Sequence, residues 1–187
     1  MKKIIHSYYG QKIIFFLEVN QPYKNQYEVA PILQKKFFSS PQRKKDKTTY
    51  QKSNFNIAVH IRAGDIMTGH KVLMRGYKKT RFLGVDYFIK AINKSLSIIK
   101  TKKKIKIHIF SEHYLKDFSK LNQFQNVQFC YNLNQYKTLL HFIYSDLLIT
   151  CKSSFSYKPA LICKGIKVCP KNFWHKYPKG KDWILLN

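Results

Sequence analysis

From residue 55 onward, apolar positions along the chain alternate between two spacings. FNIAVHI (55–61) is a β-rich apolar run, and DYFIKAINKSLSIIK (86–100) sets Phe88, Ile89, Ile92, Leu96 and Ile99 at helical spacing. KIKIHIF (104–110) alternates as a strand does. A short helix at 114–121, a strand at 126–131, a helix at 136–145 and the apolar strand DLLIT (146–150) follow. SSFSYKPALICKG (153–165) reads as a turn opening into a helix, with Pro159 tolerable in its first turn, and IKVCP (166–170) closes as another strand. Strands alternating with helices at these lengths predict an α/β fold: a Rossmann-like parallel sheet with flanking helices, whose ligands sit at the carboxyl ends of the strands. No internal repeat is visible.

The N-terminal third reads differently. KIIFFLEV (12–19) is expected to be a buried strand, and 20–53 run polar and lysine-rich, with SSPQRKKDKTTYQKS expected as an exposed loop or linker. Two units are therefore expected, an N-terminal strand and basic loop over 1–53 and a Rossmann-like domain over 54–187. The start of the chain has two lysines and a short apolar run, as a signal peptide does, but Gln11 and Lys12 interrupt it and no small-residue cleavage site follows. No stretch reaches the length of a membrane span, so a soluble, cytoplasmic chain is expected.

Composition adds charge to this picture. A chain of 187 residues with 44% apolar content fills one domain and its core, while 35 Lys and Arg against nine acids leave a net charge of +26. Such a surface attracts phosphates, nucleic acid or anionic membrane. Only Arg43, Arg62, Arg75 and Arg81 are arginines, whereas planar recognition of phosphate or bases favours arginine. Lysine excess alongside much Ile, Phe, Tyr and Asn is also what an AT-rich genome produces, and that reading stands ahead of a nucleic-acid footprint. Cys130, Cys151, Cys163 and Cys169 form no CxxC or Cys-His pairing and sit in or beside apolar runs, which reads as buried, reduced thiols with no metal site.

Two polar clusters fall where the fold would bind a ligand. His60, Arg62, Gly64 and Asp65 follow the first strand of the sheet. An arginine there can fork onto a phosphate, a glycine lets backbone approach, and an imidazole can hydrogen-bond a base or sugar. The alternative is a strand-end turn whose polar groups satisfy local backbone. In SDLLITCKSSFS, Asp146 precedes a strand and Ser153, Ser154 and Ser156 follow it into a helix start, where hydroxyls and N–H groups can cradle phosphate or simply cap the helix. His60, Arg62, Asp146 and Ser154 are expected to face one cleft. The stripes FFLEV, DYF and HFIY read as core, and Trp174, His175, Tyr177 and Trp183 either stack on a base or sugar or seal the sheet edge, with sealing preferred.

Taken together, VHIRAGDI, RFLGVDYF, IHIFSEHYLKDF and SDLLITCKSSFSYKPAL resemble the fucosyltransferase superfamily that carries HxRRGD-like signatures, and more narrowly its bacterial, algal and viral α-1,2-fucosyltransferase-like proteins. The serine run is the most specific part, and the resemblance spans residues 55 to about 186. It implies the C-terminal, donor-binding half of a GT-B glycosyltransferase that transfers fucose from GDP-fucose to a glycan acceptor with inversion and without a metal or other cofactor. It also implies that His60 and Asp146 contact the guanine or ribose end, Arg62 the diphosphate, and Ser153 and Ser154 the phosphates.

The family's second arginine is replaced by Ala63, and residues 1–53 are short for the acceptor-binding half. Self-association or a partner chain completing the acceptor site is expected. Arg62 is the expected stabiliser of leaving-group charge, and Asp65 and Glu112 are candidates by position for the base that an inverting displacement uses. Two rivals stand beside this reading: a degenerate nucleotide-sugar-binding protein without turnover, and a basic α/β module that holds nucleic acid.

Overall fold

The structure is a computed structural model that describes Gly10 and residues 26–63 and 82–187. Six strands, β1 (Asn54–His60), β2 (Lys104–Ser111), β3 (Val127–Tyr131), β4 (Leu147–Ile149), β5 (Ile166–Pro170) and β6 (Trp183–Leu186), form one sheet in the order β3-β2-β1-β4-β5-β6. Every pairing is parallel. This is the doubly wound order of a Rossmann-like sheet, in which strand order reverses between β1 and β4.

The apolar patterning follows from burial on both faces. Ile57 and Val59 of β1 lie with Ile107, Ile109, Leu147 and Ile149 on one face, covered by Phe88, Ala91 and Ile92 of α2 (Val85–Ile98). Ala58, Phe110 and Leu148 point the other way, against Phe142 of α3 (Gln135–Tyr144) and Ala160 of α4 (Ser154–Ile162). Phe142 is fully buried, which contributes on the order of 1.5–3 kcal/mol.

Three segments depart from the sequence expectations. Within the stretch over 20–53, read from the sequence only as polar and lysine-rich, lies α1 (Ala30–Ser39), with Pro31 tolerated in its first turn; Phe37 and Phe38 pack on Tyr144, and Gln34 Nε2 donates to the Leu161 carbonyl at 3.1 Å. The lysine-rich stretch after it is no free linker. Asp46 pairs with Arg43 at 3.1 Å and accepts from the Tyr144 hydroxyl at 2.7 Å, while the Tyr50 hydroxyl donates to the His141 carbonyl at 3.0 Å. The helix expected at 114–121 is a 3-10 run over Lys116–Gln123, since its buried pair, Phe118 and Leu121, is spaced three apart as a 3.0-residue turn requires. The strand expected at 12–19 lies outside the described residues.

The last strand, β6, was not expected from the sequence. It is held by Lys167, a buried lysine of β5 whose ammonium bonds the Asp182 carboxylate and the Cys163 carbonyl and lies 4.9 Å from the Trp183 ring. At the amino edge of the sheet, Gly165 passes so close to the Asp146 carbonyl that a Cβ would lie 2.3 Å from its oxygen. Gly165→Ala is therefore expected to cost about 1–3 kcal/mol through backbone displacement, read as a lower urea midpoint at unchanged slope. No described helix is long and apolar enough to cross a membrane.

Candidate functional site

Because the strands are parallel, their carboxyl ends lie together, and a cavity of about 660 Å³ opens there. Its wall is assembled from sequence-distant pieces: His60 at the end of β1 and Arg62 just past it, Ser111 at the end of β2 and Glu112 next to it, Asn132 after β3, and Ser153, Ser154 and Phe155 after β4. The strand-order reversal puts β1 beside β4, so Arg62 and Ser154 line one crevice despite their separation in sequence. The volume is that of a small-molecule site.

Each polar group has a definite setting. Ser153 is the N-cap of α4, its hydroxyl accepting from the Phe155 N–H at 3.2 Å, so one serine performs the capping that the sequence allowed. Ser154 Oγ lies 3.0 Å from His175 Nε2, and His175 stacks on Tyr157 with ring centroids 4.5 Å apart. His60 packs in a three-ring cluster with Phe142 and Phe155, its centroid 5.2 and 5.5 Å from theirs and theirs 5.9 Å apart, and its Nδ1 lies 3.2 Å from Cys151 Sγ. Burial, and then the Arg62 guanidinium, pull the His60 pKa down to about 3, so the ring is neutral at physiological pH. Arg62 is half-buried. It and the first turn of α4 make this side of the cavity electropositive.

The structure brings together His60, Arg62, Ser153 and Ser154, and adds Glu112. It does not bring Asp146. That carboxylate sits at the opposite, amino edge of the sheet, where Oδ2 accepts from the Asn56 N–H at 2.7 Å. The reason is topological: a residue preceding a parallel strand lies at the amino edge, away from the carboxyl-end crevice. Gly64 and Asp65 lie outside the described residues. Ala63 is fully buried among core residues, so position 63 faces the core rather than the cavity.

Sequence reasoning grouped Trp174 with the edge-sealing aromatics, and the structure divides that group. The Tyr177 hydroxyl donates to the Pro170 carbonyl and Trp183 is part of β6, whereas Trp174 lines the cavity and is 43% exposed. Asn132, Gln135 and Thr138 were also missed, because nothing local in the sequence shows that the start of α3 turns toward β1. Cys130, half-buried in the same wall, has its thiol pushed up to about 11 by burial, against the pull of Lys106. Among the described residues no group of three or more His, Cys, Asp or Glu could hold a metal ion.

No family model matches the chain, and no curated protein matches it. Among solved structures it is similar to NodZ α-1,6-fucosyltransferase co-crystallized with GDP, with 13% identity and a TM-score of 0.42 over 73% of this chain and 40% of that one. The chain thus spans less than half the length of that protein.

Proposed function

We propose that this chain is the donor-binding part of a fucosyltransferase-like glycosyltransferase, with the cavity taking a nucleoside diphosphate sugar, GDP-fucose by the sequence resemblance. One observation carries the reading: Arg62 after β1 and the serine-capped start of α4 after β4 converge on one cavity at the strand-order reversal. A guanidinium beside a helix N-terminus suits a diphosphate. Glu112, an acceptor-only group when ionised, suits the N–H donors of a base or a sugar hydroxyl, and Trp174 at the lip offers a face for stacking.

In the transfer, the bond between the anomeric carbon and the diphosphate oxygen breaks, the electron pair leaves with GDP, and the acceptor hydroxyl adds to the opposite face while a base takes its proton. Arg62 stabilises the charge growing on the diphosphate more in the transition state than in the ground state. Orienting the acceptor supplies much of the rate of such a bimolecular step, and a second copy or a partner chain is the proposed source of that surface.

GDP is expected to bind better than UDP or ADP in calorimetry, and equal affinities would reject guanine recognition. GDP release from GDP-fucose, with an oligosaccharide panel and with or without chelator, tests turnover. Binding with slow or undetectable release is the result expected of the isolated chain, and release abolished by chelator would reject the metal-independent route. A basic nucleic-acid module instead predicts steep salt dependence and no preference for GDP.

A further inference from the structure

We infer that Cys151 is a positioning residue that holds His60 in its Nε2–H tautomer, so that the cavity presents a fixed N–H donor to an acceptor oxygen of its ligand. The geometry carries this. Cys151 is 2% exposed and His60 8%, and the ring packs against both Phe142 and Phe155, so the 3.2 Å contact between Sγ and Nδ1 is enclosed. The sulfur already accepts from the Arg62 backbone N–H, and its own proton needs an acceptor. Two are within reach: His60 Nδ1 at 3.2 Å and Ser156 Oγ at 4.0 Å. The nearer is also the more basic, so the thiol donates to Nδ1 and the ring proton resides on Nε2.

A thiolate–imidazolium pair is the other form such a contact can take, and burial opposes it from both sides. The thiol is pushed up to about 12 and the imidazole down to about 3. Nε2 has no hydrogen-bond partner among the described residues, and His60 lines the cavity. The donor is therefore directed toward ligand. Resting on the proposed reading of the cavity as a nucleotide-sugar site, the ligand group at this point is an acceptor oxygen of the diphosphate or of a sugar, and a ligand offering only N–H donors there is disfavoured.

The test uses the full chain labelled with ¹⁵N-histidine, with ring tautomers read from two-bond ¹⁵N–¹H correlations without ligand. The Nε2–H form is expected for His60 in the wild type and in Cys151→Ser, which keeps a donor, and a mixture of tautomers in Cys151→Ala. GDP affinity is expected to fall about three- to tenfold in Cys151→Ala and to recover in Cys151→Ser. An Nδ1–H ring in the wild type, or a tautomer unchanged by Cys151→Ala, overturns the inference. If the alanine variant does not fold, the wild-type and serine spectra still decide it. An Nε2–H ring in a chain that binds no nucleotide supports the tautomer lock and counts against the nucleotide reading, which separates the two.

Discussion

Arg62→Ala is expected to weaken GDP binding by about 1.5–3 kcal/mol, roughly 10- to 150-fold, as for a lost hydrogen bond to a charged group. Arg62→Lys should restore only part of this, because it returns the charge without the planar fork. The position supports the expectation: Arg62 lines the cavity from the end of the central strand, opposite the Ser153-capped start of α4. Asp146→Asn is the contrasting variant. Its side chain is bound to Asn56 at the far edge of the sheet, so GDP affinity should be unchanged. Calorimetry showing wild-type affinity in Arg62→Ala would remove the diphosphate contact from the proposal, and a loss in Asp146→Asn equal to that in Arg62→Ala would mean the placement at opposite ends has no functional meaning.

The second large effect is acid lability. His60, His108, His141 and His175 are all buried, and burial lowers the pKa of each, to about 3 for His60 and about 4 for His108. The folded chain keeps these rings neutral where the unfolded chain protonates them, near pH 6.5. Below that pH the unfolded state binds more protons, so stability falls as pH falls. Above it the contribution is fully present and flat. Each neutral ring adds a slope of about 1.4 kcal/mol per pH unit, so two acting together lower stability by about 5–7 kcal/mol between pH 6.5 and 4, comparable with the whole stability of a domain.

His141 shows the cost structurally. Its Nδ1 lies 2.7 Å from the Lys137 carbonyl and so carries the proton, leaving Nε2 to accept from the Thr49 N–H at 3.0 Å. A second proton would abolish that acceptor and release the segment over α3. Urea titrations from pH 7.5 to 4 should show a midpoint that is level above about 6.5 and drops steeply beneath it. An unchanged midpoint down to pH 5 would reject the neutral-histidine account, and His108→Gln should reduce the slope by about one proton.

The parallel sheet could be read from the sequence because strands buried on both faces are near-continuous apolar runs: five expected strands, including FNIAVHI and IKVCP, match β1 to β5 with no boundary shifted by more than one residue. Where reading failed, the determinants were non-local. The lysines of the segment before β1 suggested solvent, yet its place is set by Asp46, Thr49 and Tyr50 meeting side chains and backbone of α3 about ninety positions away. Strand β6 is four residues long and depends on Lys167, whose burial no local pattern signals. In the cavity, Arg62 and the serines were visible because both follow apolar strands. Asp146 was misplaced although its position before β4 already assigned it to the amino edge, and Trp174 was hidden within a run of aromatics that mostly seal the sheet.

The pairing of β1 with β4 also constrains how the chain must be made. Val59 pairs with Ile149, so one edge of the central strand waits for residues about ninety positions later in synthesis. At 5–20 residues per second that is roughly 5–20 s during which an apolar strand edge emerges from the ribosome without its neighbour. Unpaired edges of this kind recruit other chains, and flanking like charges oppose that. Lys52, Lys100, Lys102, Lys103 and Lys104 are exposed around the amino ends of β1 and β2. Their mutual repulsion between nascent chains gives the lysine excess a use during translation, before any cavity exists.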